Sequence, residues 1–239
     1  MNGTSNSQLL ALASRTAATI PDVIDILQKM DDALPNTDGL KWFVKLYIMV
    51  STGVNNNPAS GGFRDEQWMT RLDVVFANIY FSSLAEYLRG SSIPRSWQAL
   101  FEARTRTDVD RIQFALAGMN AHINHDLALA LLQTNQERQI NPNTLSPQYQ
   151  DYESVNTIIE TALPGALHVL AADVLGVLAQ DTGKIGKLLA IWNVSAARDL
   201  AWDFEDHLRN LNGAERQIAL ALQDKTTGAL GRSLLLPIA

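Results

Sequence analysis

The sequence predicts an all-α fold, a compact bundle of about 8–10 helices in a single domain over residues 1–239. Two observations carry this. Apolar residues recur at helical spacing along most of the chain, and no series of runs alternates apolar and polar residues as half-buried strands do. Charged residues make up only 18% against 46% hydrophobic residues, so several helices must be buried on more than one face. A chain of 239 residues can build one substantial core. That core is expected over about residues 20–225, with residues 1–8 flexible.

Pro21 to Leu34 starts with proline in the first turn and carries Val23, Ile24, Ile26, Leu27 and Met30 at helical spacing. Gly39 to Val54 is a second, nearly all-apolar helix, and Asn55 to Gly62 is the clearest loop. Asp65 to Leu88 reads as a long buried helix. Pro94 restarts a helix through Trp97. Asp108 suits the N-cap of a helix reaching about Thr134. Asn135 to Gln148 is polar, holds Pro142 and Pro147, and reads as a long loop. Helices follow over Tyr149–Leu163, from Pro164 to Gln180, over Ile185–Leu211 and over Ala214–Lys225, with a break at Thr182-Gly183. The apolar tail Leu234–Ile238 should pack back on the bundle.

Composition removes several function classes. The formal net charge is −6 and no Lys/Arg block stands out, which argues against a nucleic-acid partner or an anionic membrane surface. There are no cysteines, which excludes disulfides, thiolate catalysis, zinc–thiolate sites and iron–sulfur clusters. No apolar run approaches the ~20 residues of a membrane span. The N-terminus lacks the basic start and apolar core of a signal peptide, so a cytoplasmic location is expected. No glycine-rich phosphate loop, nucleotide or flavin signature, Gly-x-Ser-x-Gly elbow or His-Glu-x-x-His motif occurs.

One feature is out of place. Asn120-Ala121-His122-Ile123-Asn124-His125-Asp126 is a polar block inside an apolar helix. At 100° per residue, His122, His125 and Asp126 share one face, while Asn120 and Asn124 share the opposite one. A buried imidazole and carboxylate need partners. His122 and Asp126, four residues apart, can reach each other or one ligand, as an acid–base pair or as metal ligands. A purely structural pairing fits the same spacing. Asn120 and Asn124 suit helix–helix hydrogen bonds.

Asp73 lies in an apolar stretch and shares a face with Tyr80. Asp151 follows the long loop, where a first-turn acid also suits the helix dipole. Trp192 and Trp202 could line a cavity. Asp199, Asp203 and His207 form a ladder that more often marks a solvated face, and His168 reads as a core residue.

These blocks together resemble the bacterial family catalogued as domain of unknown function 5995. The resemblance runs over about residues 25–205. It rests on Met30-Asp31-Asp32-Ala33-Leu34-Pro35 followed by Gly39 to Phe43, then Arg71 to Tyr80, Trp97 to Glu102, the specific block from Gln113 to Leu127, and Asp151 to Asn156. It implies an all-α fold and no established activity. The family pattern keeps His and Asp at His122 and Asp126, varies at His125, and carries Asp73, Asn78, Asp151, Asn156 and the Ala201-Trp202 pair. Many relatives have His where this chain has Gln148.

The expected function is a small-molecule-processing enzyme with a buried His/Asp acid–base site. Hydrolysis, cyclisation and isomerisation all fit such a site. His122, Asp126, Asp73 and Asp151 would be catalytic, and Tyr80, Asn78, Asn156, Trp202 and Trp192 would bind substrate. A metal-assisted variant would place a divalent ion on His122 and Asp126. The alternative is a non-catalytic helical module that binds a ligand or a protein and uses the polar block as scaffold.

Overall fold

Short-range chemistry sets where the helices begin and end. The computed structural model describes residues 2–56, 62–171 and 193–237, and every regular element among them is helical. They are α1 (Asn2–Ala13), α2 (Ile20–Ala33), α3 (Leu40–Asn56), α4 (Glu66–Arg89), α5 (Arg95–Ala103) and α6 (Arg111–Ala121). A π-helical turn (His122–Asp126) joins α6 to α7 (Leu127–Arg138). Then come α8 (Pro147–Ala171), α9 (Val194–Asn210) and α10 (Gly213–Leu234).

Thr19 caps α2 by accepting from the Asp22 amide, and the Asp22 carboxylate accepts from the Thr19 amide in return. Asp65 caps α4 at 3.0 Å from the Trp68 amide, and Gly90 ends that helix in the left-handed region at φ 76°. The cap of α6 is Asp110, boxed with Gln113, rather than the expected Asp108, which pairs with Arg106 in the preceding loop. Asn212 and Glu215 form a third capping box at α10.

Several other boundaries differ from expectation. The N-terminal segment forms α1, because Leu9 and Ala13 bury themselves against the bundle. The segment from Asn135 to Gln148 is shorter as a loop, since α7 runs on to Arg138. Helix α8 continues through Pro164, so no new helix starts there. Proline forfeits one backbone hydrogen bond in a helix interior, yet α8 is continuous across it. The last helix runs to Leu234, not Lys225. Its end is fixed by Gln113, whose Nε2 donates to the carbonyls of Leu234 and Leu236. The expected helix end at Gln180, the Thr182-Gly183 break, the helix start at Ile185 and Trp192 lie outside the described residues.

Helix α6 is the axis of the bundle. Every residue from Ile112 to Ala121 is buried. Helix α3 packs between α2, α6 and α8, while α10 lies across α5 and α6. Helix α4 runs against α1 and α7, and α9 packs on α7 and the π turn. Gly118 makes the α3–α6 approach possible. A Cβ there would stand 2.4 Å from Cγ of Phe43, so any larger residue would push Phe43 and Tyr47 off the π turn. Each large apolar side chain sealed in this core contributes roughly 1.5–3 kcal/mol of transfer free energy.

Candidate functional site

The polar block departs from a regular helix over His122–Asp126. The amide of Leu127 bonds back to the carbonyl of His122, five residues earlier, which defines a π turn. Such turns are rare and recur at functional sites. Here the turn gathers two imidazoles around one carboxylate.

Asp126 is fully buried. Its Oδ2 lies 3.0 Å from Nδ1 of His122 and accepts from the indole Nε1 of Trp97, also at 3.0 Å. Its Oδ1 lies 2.7 Å from Nδ1 of His125. Burial disfavours the charged carboxylate, but the hydrogen bonds from His122 and His125 outweigh it and hold the pKa below the usual carboxylate range. An ionised carboxylate only accepts, so both imidazoles must donate through Nδ1.

The consequence for His122 is specific. Burial, the dominant influence, opposes its positive charge and lowers its pKa despite the Asp126 carboxylate. With the proton of the neutral ring on Nδ1, Nε2 carries a lone pair, and that buried atom has no hydrogen-bond partner among the described residues. The ring is held flat against Phe76, with centroids 3.4 Å apart and planes 5° from parallel. Tyr47 meets it edge-on at 4.7 Å. His125 behaves differently. Burial again opposes its charge, but the bond to Asp126 and the field of Asp126 and Asp224 prevail and raise its pKa. Its Nε2 points 3.8 Å from Asp224, which accepts from the backbone amides of Arg95 and Ser96. His125 thus ties the π turn to the start of α5.

His122 lines a cavity of about 80 Å³ between α3, α4, the π turn, α8 and α9. That is room for a few waters or the body of a small ligand. Its walls are almost wholly apolar, and the polar groups on it are few: His122, Asp73, Tyr47 and Arg198. Asp73 leaves Oδ2 buried without a partner, and burial pushes its pKa up to about 7. The Tyr47 hydroxyl is also buried and unpartnered. Burial, and then the negative charges of Asp73 and Asp126, push its pKa well up, so it stays protonated. Arg198 rests over the Tyr152 ring and donates to Asn156 Oδ1 at 2.7 Å and to the Tyr152 carbonyl.

The expected residues therefore divide. His122 and Asp73 line one cavity, with Asp126 directly behind His122. Asp151 is not with them. Both of its oxygens are occupied by the amides of Arg64 and Asp65, at 2.8 and 2.7 Å, at the entry to α4. Gln148 serves the same junction through Asp65. Asn78 brackets the backbone of Ala17 with two hydrogen bonds and so fastens the α1–α2 connection. Trp202 packs among Trp68, Tyr149 and Tyr152 and does not line the cavity. Tyr80 sits one ring removed, 6.1 Å from the His122 centroid, with its hydroxyl unpartnered and its pKa raised by burial. Asn156 acts through Arg198. The Asp199, Asp203, His207 ladder is exposed, as a solvated face should be. Asn120 and Asn124 bond each other, and Asn120 also bonds the Thr227 carbonyl of α10.

His122 and Asp126, the two residues expected to hold a divalent ion, lie 3.0 Å apart and bond each other. Among the described residues, no three His, Asp or Glu side chains come together as metal ligands. Asp126 spends its oxygens on His122, His125 and Trp97. Tyr47, Phe76, Trp97 and Arg198 escaped the sequence reading. Only a tyrosine in the nearly all-apolar run Gly39–Val54 offered a signal.

The chain belongs to the family described as a family of unknown function (DUF5995), which matches it over residues 20–237. Neither a curated protein nor a solved structure matches it.

Proposed function

We propose that this protein is an enzyme that moves a proton on a small, largely apolar molecule held in the cavity beside the π turn. His122 Nε2 is the general base. Asp126 fixes its tautomer and stabilises the imidazolium that forms. Asp73, with a pKa of about 7, is poised to give up or take a proton near neutral pH. The protonated Tyr47 hydroxyl supplies a hydrogen bond to a developing oxyanion. The observation that carries this reading is the unpartnered Nε2 of a neutral imidazole lining an apolar cavity. The described lining holds no serine, threonine or cysteine, which favours proton shuttling, as in isomerisation or cyclisation, over hydrolysis through an acyl-enzyme.

Solvent-deuterium exchange tests this directly. Small ketones and unsaturated acids in D₂O should exchange C–H protons faster with the protein present, as followed by NMR. His122→Gln should slow that exchange by about 10²–10⁴-fold. The apolar walls also suit a second reading, a binding module without chemistry. Ligand binding with no exchange, or exchange indifferent to His122→Gln, would favour that reading.

A further inference from the structure

We infer that the cavity takes a ligand bearing a carboxylate, and that Arg198 recognises it. The inference rests on the proposal that this cavity holds a small molecule, and it names the chemical class.

Arg198 is a buried cation, only 5% exposed, on the wall of an apolar cavity. A buried guanidinium is costly unless a negative group compensates it. No carboxylate forms an ion pair with Arg198 among the described residues. Glu153 lies near enough to feel its field, but Glu153 has its own pKa raised, by burial first and then by the negative charge of Asp199. Among the described residues, what Arg198 touches is neutral: the Asn156 amide oxygen, the Tyr152 carbonyl and the Tyr152 ring.

Those contacts leave a particular edge unused. Nε is taken by Asn156 and one Nη2 hydrogen by the Tyr152 carbonyl. Both hydrogens of Nη1 and one of Nη2 make no hydrogen bond with the described residues. One hydrogen from each of Nη1 and Nη2 forms the fork that grips a carboxylate with two parallel hydrogen bonds. Asn156 and Tyr152 fix the guanidinium in advance, so little side-chain entropy is lost on binding. The apolar body of such a ligand would lie against the cavity walls that Phe43, Phe76 and Ile123 contribute. The aliphatic residues of α8 close the far wall.

Hexanoate and hexanamide are the probes, because they match in shape and differ in charge. The measurement is titration of the full chain at pH 6, where hexanoate is ionised and Asp73 is mostly protonated. Hexanoate should bind about tenfold more tightly than hexanamide, or better. Arg198→Gln should erase the preference while leaving hexanamide binding in place, which also shows that the cavity has survived. Arg198→Lys, which keeps the charge but not the fork, should retain part of it. Equal binding of the two probes by the unaltered protein, binding of neither, or a preference that persists in Arg198→Gln would overturn the assignment. His122→Gln separates this inference from the proton-transfer reading. If the preference persists but no His122-dependent exchange occurs, Arg198 keeps its role and the chemistry fails. If exchange depends on His122 with no carboxylate preference, the chemistry stands and Arg198 loses its role.

Discussion

Asp126→Ala should cost roughly 3–5 kcal/mol of stability, the loss expected when one partner of a buried charged network is removed. The substitution strands the Nδ1 protons of His122 and His125 and the indole N–H of Trp97, all in dry surroundings. For a chain of this length that corresponds to a fall in Tm on the order of 10 °C. Asp126→Asn should be milder. Its amide oxygen can keep the bonds from His122 and Trp97, while its NH₂ turns to His125, whose ring can change tautomer. The lost negative charge should still lower the His122 pKa further. Thermal and urea unfolding of both variants would measure the order, Ala worse than Asn. Equal stability of Asp126→Ala and the unaltered protein would remove the network from the account.

Asp73→Asn should have the opposite sign, and its effect should grow with pH. Burial raises the Asp73 pKa from 3.8 to about 7, so the folded protein holds a proton that the unfolded chain releases. The stability linked to that proton is fully present below about pH 4 and is lost as pH rises through about 7. At about 1.4 kcal/mol per tenfold change in proton affinity, and with partial exposure trimming the effect, Asp73→Asn should be more stable than the parent by roughly 2–4 kcal/mol at pH 8. The gap should close toward pH 4. His122 contributes the reverse slope, because its lowered pKa costs stability as pH falls below about 6.5, but that slope is common to both proteins and cancels in their difference. Urea denaturation of the pair between pH 4.5 and 8.5 would read the gap. A cost at pH 8 would mean that Asp73 has a partner in the fold.

The pattern of success and failure in the sequence has physical causes. Helix existence was legible from the 3.6-residue period, as over Pro21–Leu34 and Asp65–Leu88, whereas the cap of α6 was placed two residues early, at Asp108 instead of Asp110. The pairing of His122 with Asp126 was legible too, since a four-residue spacing brings side chains together in a regular helix and still does so across the π turn. The turn itself left no mark, because it is a backbone choice in which residues of α10 take part: Gln223 donates to the carbonyl of Asn124. Asp151 misled because a first-turn acid looks the same whether it serves a site or, as here, holds the amides of a neighbouring helix start. Tyr47, Phe76 and Trp97 come from α3, α4 and α5, and only tertiary packing brings them to His122. Arg198 was invisible for the same reason. Its importance lies in having no carboxylate paired with it among the described residues, and a sequence does not display that.

His122, which lines the cavity, is a neutral imidazole with its proton on Nδ1 and an Nε2 that has no hydrogen-bond partner among the described residues. Long-range ¹H–¹⁵N NMR of the histidine rings across pH tests it without a substrate. The expected result is the Nδ1–H tautomer for His122, with a pKa below 6.5, and a pKa above 6.5 for His125. An Nε2–H tautomer for His122, or a His122 ring that stays protonated above pH 7, would contradict it.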